Sequence, residues 1–363
     1  MRLLLLLLLL APVTAWAETV YRGEQTLWQD TVWEGEILID GILTVAPEVR
    51  LEIRPGSVIR FTRNDTNGDG IGEHELFVQG ELLALGTAEA PIRFTAAGDG
   101  FPGFWGAINM MASENDNRLE HCLVEFAYRG FHAHFGRGKV RDSVFRHNRR
   151  AFQFQESTVS IERCRIVDNF NGIQFRDSTV RMVESTVRGG NWGVRCVYSD
   201  IELVNNLIEG NLANGVSLRD SDLVARGNTI TRNRRGLYLQ RSRGEIDGNW
   251  LQGNAEHGTF FEESDINLVG NRIAGNGRAG IRWIESGGTI VGNDLSDNGE
   301  YAVINDGSDE MSIGRNWWGK SSRVAGLVRD QSDRADVGPV RWDAPLPQEP
   351  DLPQPPIPKK DRE

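Results

Sequence analysis

Three cysteines in 363 residues, 13 prolines and four lysines among 40 basic residues mark this chain first by what it does without. So little cysteine excludes a disulfide scaffold. Its 41 glycines fall far below the one-third that collagen needs, and 39% hydrophobic content is too much for a disordered chain. A formal charge of -11 argues against wrapping nucleic acid by counterion release, so no nucleic-acid partner is expected. Past residue 10 no apolar run approaches 18 residues, so no membrane span is expected. Apolar residues at helical spacing are missing too. The shortage of lysine leaves arginine, whose planar fork suits carboxylates and phosphates, although a GC-rich genome produces the same bias.

The first segment reads as an export signal. Met1-Arg2 precedes a leucine run from Leu3 to Leu10, and Ala15-Trp16-Ala17 supplies a small-x-small end. This pattern predicts a signal peptide over residues 1–17, cleaved after Ala17, and a periplasmic or extracellular protein.

What is present in abundance is a repeat. Asn206, Asn228, Asn249, Asn271, Asn293 and Asn316 recur at nearly constant spacing, and a second column runs Asn211, Asn233, Asn254, Asn276, Asn298. The second column extends backwards through Asn169 and Asn148. A third is small: Gly130, Ala151, Gly172, Gly193, Gly215, Gly236, Gly258, Gly280, Ala302. Between the columns apolar residues alternate over three to five positions, which predicts short strands separated by Asn and Gly turns. A unit of two or three such strands cannot bury its own apolar side. Stacked as coils, it pairs each strand with a parallel one above and places equivalent residues in vertical columns. The fold class expected is therefore all-β, a parallel solenoid of roughly 21–23-residue coils.

The chain resembles the right-handed parallel β-helix proteins of the pectate-lyase-like superfamily, in particular their bacterial exported repeat group. The resemblance covers nearly all of 18–345. Its N-terminal coils are carried by Leu43-Thr-Val-Ala-Pro and Leu51 to Ile59, then Leu76 to Gly86, then Pro91-Ile-Arg-Phe-Thr95. Phe104-Trp105-Gly106 and Val124 to Tyr128 continue it, and Asn316-Trp-Trp-Gly319 is similar to the group's terminal turn. These motifs imply the fold and say little about activity, because the superfamily hosts lyases, hydrolases, epimerases and binding proteins. The boundaries expected are N-terminal coils over 18–100, regular coils over 101–319, a C-terminal cap over 320–343 and a Pro-rich tail over 344–363. The tail favours an extended polyproline conformation, and its end is expected to be unstructured.

The register also decides the cysteines. Cys122 and Cys164 share a column with Ser143 between them, so two coils at about 4.8 Å each hold them too far apart for a disulfide. Cys196 falls in another column at an inward position. Three buried free thiols are expected.

After each glycine, alternation sends Ile173 and Phe175, or Ile281 and Trp283, inward and their neighbours outward. One outward column is then His132, Gln153, Gln174, Arg195, Ser217, Tyr238, Phe260, Arg282. The next is His134, Gln155, Arg176, Val197, Arg219, Gln240, Glu262. Amides, guanidinium groups and aromatics in rows suit sugar hydroxyls and uronate carboxylates, although a solvated sheet face carries the same residue types. A lyase would need a base and a neutralising cation, roles open to His132, His134, Arg176 and Arg195. The Asp cluster of a pectate lyase calcium site, the polygalacturonase Asp pair and the epimerase Asp-Pro-His-Glu motif are all absent.

Asp65-Thr-Asn67-Gly-Asp69-Gly70-Ile-Gly-Glu73-His-Glu75 is the metal candidate. Asp65, Asn67, Asp69, Glu73 and Glu75 offer oxygens around Gly70, as a calcium loop requires. Leu76 stands where the closing glutamate should fall, so the segment is no EF-hand, and a structural calcium clip is weighed against a plain polar loop. No other cofactor is expected. The reading that results is an exported protein that binds polysaccharide or a cell-envelope glycan along a lateral face. A polysaccharide lyase-like enzyme and a structural, adhesin-like surface protein are its rivals. A copper-chaperone role, like that of the periplasmic β-helix associated with nitrous oxide reductase, is weaker because Met is scarce and histidines cluster only at His132 and His134.

Overall fold

The computed structural model describes residues 18–320 and 323–358, so the expected signal segment 1–17 lies outside the described residues. Each repeat turns three corners, and at each corner one residue takes a left-handed backbone. One corner column is Asp142, Arg163, Glu184, Asn205, Gly227, Gly248, Gly270 and Gly292; another is Glu156, Asp177, Tyr198, Asp220, Arg241, Glu263 and Glu285. The third is His147, Asp168, Gly189, Gly210, Arg232, Gly253, Gly275 and Asp297. A left-handed residue bends the chain sharply, at a cost to any side chain with a Cβ.

At most corners the following residue offsets that cost. Its N–H is met by a side-chain oxygen of the next coil. Asn206 N donates to Asn228 Oδ1 (2.9 Å), Asn233 N to Asn254 Oδ1 (3.1 Å) and Ser178 N to Ser199 Oγ (3.1 Å). The asparagine amides also bond directly along the stack, as in Asn228 Nδ2 to Asn249 Oδ1 (2.8 Å). The Asn columns are thus corner ladders, buried at 0–2% exposure from Asn206 to Asn293.

Between corners run three short strands. In one coil they are Asn171–Arg176, Thr179–Val183 and Thr186–Arg188, and the next coil begins at Val194–Val197. Every strand pairs in parallel with its equivalent one coil on: Ile173 with Val194, Val180 with Ile201, Val187 with Ile208. This is the expected right-handed parallel β-helix, with a repeat of about 22 residues. We call the three faces lateral, second and third, after the order of those strands.

Inward residues form one continuous core from Trp33 to Val340, with Phe131, Phe145, Phe152 and Phe154 packed ring to ring near its middle. The small column marks the closest backbone approach. A Cβ on Gly172 would sit 2.3 Å from the carbonyl oxygen of Gly193, so a larger residue would force the coils apart. The three cysteines are free and buried, as the register predicts. Burial pushes Cys164 and Cys196 up to about 12 and Cys122 further in the same direction.

The lateral sheet runs past residue 319, because Val328–Arg329 pairs with Tyr301–Asn305. Among the described residues of the Pro-rich segment, 344–358, no strand forms, and its end, 359–363, lies outside the described residues. Residues 344–358 nevertheless pack back along the third face. Leu346 N bonds Asn316 O (2.9 Å), Glu349 pairs with Arg272 (2.9 Å), and Pro356–Pro358 lie over a groove with Cys122 and Cys164 in its lining.

Candidate functional site

The lateral face holds both outward columns in the expected register. His132 pairs with Gln153, Gln153 with Gln174, Gln174 with Arg195, Arg195 with Ser217, Ser217 with Tyr238, Tyr238 with Phe260 and Phe260 with Arg282. His134, Gln155, Arg176, Val197, Arg219, Gln240 and Glu262 pair likewise beside them. Gln153, Gln174, Arg176, Arg195 and Arg219 meet in one shallow depression of about 210 Å³, while Tyr238, Phe260 and Arg282 lie further along the stack.

Outward does not mean exposed for two of these residues. His132 is 9% exposed and Phe260 7%. Both are covered by a third column that alternation did not reveal: Arg129, Arg150, Asn171, Trp192, Asn214, Arg235, His257. These residues directly precede the small column, where the strand leaves regular alternation between Arg129 and Phe131. Their position, one before each Gly or Ala, was the available signal. Phe260 lies between the guanidinium groups of Arg235 and Arg282, 5.4 and 4.5 Å from its ring centre.

The third column carries an unusual charge distribution. Arg129 and Arg150 lie over the ring of Tyr128, at 4.6 and 5.2 Å, and both donate to Gln153 Oε1 (3.1 and 2.7 Å). Arg195 lies 4.9 Å over Trp192. None of these three guanidinium groups meets a carboxylate of the described residues within ion-pair distance. By contrast Arg176 pairs with Asp177 (2.8 Å), Arg219 with Asp220 (3.5 Å) and Arg282 with Asp306 (2.9 Å).

At the N-terminal end of the face the groups are buried and polar. His132 Nδ1 hydrogen-bonds Asn109 Oδ1 (2.9 Å), and Asn109 Nδ2 donates to Glu75 Oε1 (3.3 Å). Burial and the nearby Arg129, His134 and Arg150 hold the His132 imidazole down to about 3. Burial likewise raises the Glu75 carboxyl, partly offset by Asn109 and Arg129. His134 stacks on Phe135 at 4.3 Å and keeps a buried Nε2 without a partner. Further along, burial and a hydrogen bond to Glu262 (2.9 Å) push Tyr238 up to about 12.

The 65–75 segment spends most of its oxygens on itself and on Arg63, although Asp65 Oδ1 is buried with no hydrogen-bond partner among the described residues. Asp65 Oδ2 accepts from Gly70 N (3.1 Å) and Arg63 Nη2 (2.7 Å), and Asn67 Oδ1 accepts from Asp69 N (2.9 Å). Asp69 Oδ1 accepts from Ile71 N (2.8 Å), and Glu73 Oε1 from the Thr66 hydroxyl (2.6 Å). Glu75 has left the loop for the Asn109 side of the lateral face. Among the described residues no group of three His, Cys, Asp or Glu side chains is placed to hold a metal ion.

Comparison with known proteins places the chain among parallel β-helices. The family described as "Periplasmic copper-binding protein (NosD)" matches residues 177–324, and that described as "Right handed beta helix region" matches residues 105–223. No curated protein matches the sequence. Among solved structures, a mutant of the periplasmic alginate epimerase AlgG is 17% identical with a TM-score of 0.51, covering 90% of this chain and 78% of its own. The A-module of an Azotobacter vinelandii mannuronan C-5 epimerase is 14% identical with a TM-score of 0.48, covering 83% of this chain and 88% of its own. PfbA, a surface adhesin of Streptococcus pneumoniae, is 10% identical with a TM-score of 0.33, covering 76% and 79%.

Proposed function

We propose that this chain, a right-handed parallel β-helix protein of the pectate-lyase-like kind, binds an acidic polysaccharide or cell-envelope glycan along its lateral face. The observation that carries the reading is the set Arg129, Arg150 and Arg195. Three guanidinium groups are laid over aromatic rings, and none meets a carboxylate of the described residues within ion-pair distance. A cation held flat and left unneutralised is prepared for an external carboxylate, and the Gln153 and Gln174 amides beside it suit sugar hydroxyls. Stacked coils repeat this chemistry along the face, which suits a polymer better than a single small molecule. A secreted, periplasmic or extracellular setting goes with this reading.

Copper does not fit the described residues. The thiols are buried one by one, their pKa values raised by burial, and the histidines gather no third ligand.

The test is binding of polyuronates and of a neutral glucan by the mature protein, by calorimetry. Arg195→Ala removes one charge-assisted contact, and the Kd for the polyuronate is expected to rise by about 10-fold or more. Equal affinity for neutral and acidic polymers, or unchanged affinity in the variant, removes the assignment. The same incubation decides turnover: new unsaturated sugar ends that vanish in His132→Gln would make the protein a lyase.

A further inference from the structure

Beyond the depression already described, the lateral face ends in a second recess toward the C-terminus. It is a narrow cleft of about 160 Å³, lined by His257, Arg278, Arg282, Asp306, Arg329 and Arg334. Its floor is Ile304, one coil beyond Arg282 and paired with Arg329 in the lateral sheet. Register therefore stacks Arg282, Ile304 and Arg329 in one column and brings His257 in from the column beside it.

His257 is the anomaly. It is 1% exposed, and neither ring nitrogen has a hydrogen-bond partner among the described residues. A buried imidazole must carry a proton on at least one nitrogen, so a donor is left idle at a site where burial makes idle donors costly. Its ring meets Phe260 edge-on at 6.1 Å, which fixes its plane.

The cations around it outnumber the acids. Asp306 is the one carboxylate in the lining and is shared three ways, by Arg282 Nε at 2.9 Å, Arg334 Nη1 at 3.5 Å and Arg329 Nη2 at 3.7 Å. One carboxylate offers about four lone-pair sites, while three guanidinium groups bring about fifteen N–H donors. Arg278 spends its Nε on the half-exposed Glu300 (3.2 Å), and Arg334 also reaches the exposed Asp336, both outside the cleft. Forks held by a shared acid are pre-positioned without being saturated.

We propose that this cleft binds one oxyanion group, with His257 donating a ring N–H and the remaining N–H groups of Arg282, Arg329 and Arg334 completing its shell, Arg334 doing so beside the Asp336 that its Nε and Nη2 already hold. The shared chemistry is a carboxylate, phosphate or sulfate. That the group belongs to the glycan on the face rests on the preceding reading, and in that case the cleft fixes which way the polymer runs. An acidic residue at one chain end docks at the C-terminal coils, and the remaining sugars extend over Tyr238 and Ser217 toward Arg195.

The experiment titrates the mature protein with sodium glucuronate, inorganic phosphate, inorganic sulfate and glucose at constant ionic strength. The readout is the ring nitrogen resonances of ¹⁵N-histidine-labelled protein, with His257 assigned by its loss in His257→Gln. A saturable shift of His257 is expected with at least one anion and none with glucose. The tighter anion identifies the source. In the Arg329→Gln/Arg334→Gln double variant, whose side chains lie outside the core, the affinity is expected to fall about 10-fold or more. A silent His257 in all titrations, or equal affinity in the double variant, overturns the cleft. Arg195→Ala separates the two readings: loss of polymer binding with an intact His257 response keeps both. Absence of polymer binding in the wild type with an intact response keeps the cleft and removes the lateral-face proposal.

Discussion

Two buried histidines tie this protein's stability to pH. His132 and His257 sit near 3 and 4, each depressed chiefly by burial and then by arginines: Arg129 and Arg150, with His134, for the first, and Arg282, Arg278 and Arg235 for the second, where Glu256 opposes. An imidazole titrates near 6.5 in the unfolded chain, so below that pH the unfolded state binds protons that the folded state refuses. Stability is therefore full above pH 6.5 and falls as the pH drops toward 4 and 3. Each group contributes a slope of about 1.4 kcal/mol per pH unit. Glu75, raised by burial, works in the opposite direction: its contribution is present at low pH and lost as the pH rises through its folded value. Melting temperatures between pH 4 and 7 check this. His132→Gln is expected to keep the bond to Asn109 and flatten the acid limb, and an unchanged limb would show that His132 is already protonated when folded.

The same residues show where sequence reasoning stops. Columns follow from spacing alone, so His132, Gln153 and Arg195 can be stacked without a structure. Burial depends on what the neighbouring column does; the register shifts at Arg129, and at Arg235 and His257 successive residues are buried where strict alternation would expose one. That is why Phe260 and His132 read as open ligands and prove to be covered.

At the scale of the corner, the asparagine is a structural part with a measurable worth. Asn249 donates to Asn271 Oδ1 through its backbone N (2.9 Å) and side chain (3.0 Å) and to Ala225 O (2.8 Å), and it accepts from Asn228. Asn249→Leu leaves several buried groups without partners, and a loss of about 3 kcal/mol or more in a denaturant unfolding curve is expected. Asn249→Ser should lose clearly less, because Ser143 and Ser185 stand in that same column and accept the same kind of N–H. Equal losses in both variants would mean that packing, not hydrogen bonding, sets the cost. The 65–75 loop contrasts with the corners. The calcium pattern was legible in its spacing, but the direction of each oxygen was not, and four of the five candidates are engaged within the loop. Adding calcium or a chelator is accordingly expected to move the melting temperature by less than about 1 °C, on a scale where 1 kcal/mol is worth about 2–4 °C. A rise of several degrees with calcium would identify the loop as a calcium clip.

On the scale of the whole molecule, the solenoid puts its duties on different faces. The face proposed to bind glycan is the lateral one, whereas the Pro-rich segment lies along the third, touching Asn316, Arg272 and the groove beside Cys122. Composition marks out the tail but not its path, since polyproline conformation carries no strand register that could be read from spacing. Because coils contact only their neighbours, stability along such a stack is close to a sum of local terms. A strap that spans many coils is an exception: it links rungs that otherwise never touch. Removing residues 344–363 should therefore lower the melting temperature modestly, since among the described residues the losses are the partly exposed Arg272–Glu349 ion pair and a few backbone and proline contacts. It should also speed the reaction of Cys122 and Cys164 with a thiol reagent, while leaving polyuronate affinity as it was. The third readout decides the arrangement. A truncation that weakens glycan binding as strongly as Arg195→Ala would place the tail in the ligand's path, and the separation of duties between faces would fail with it.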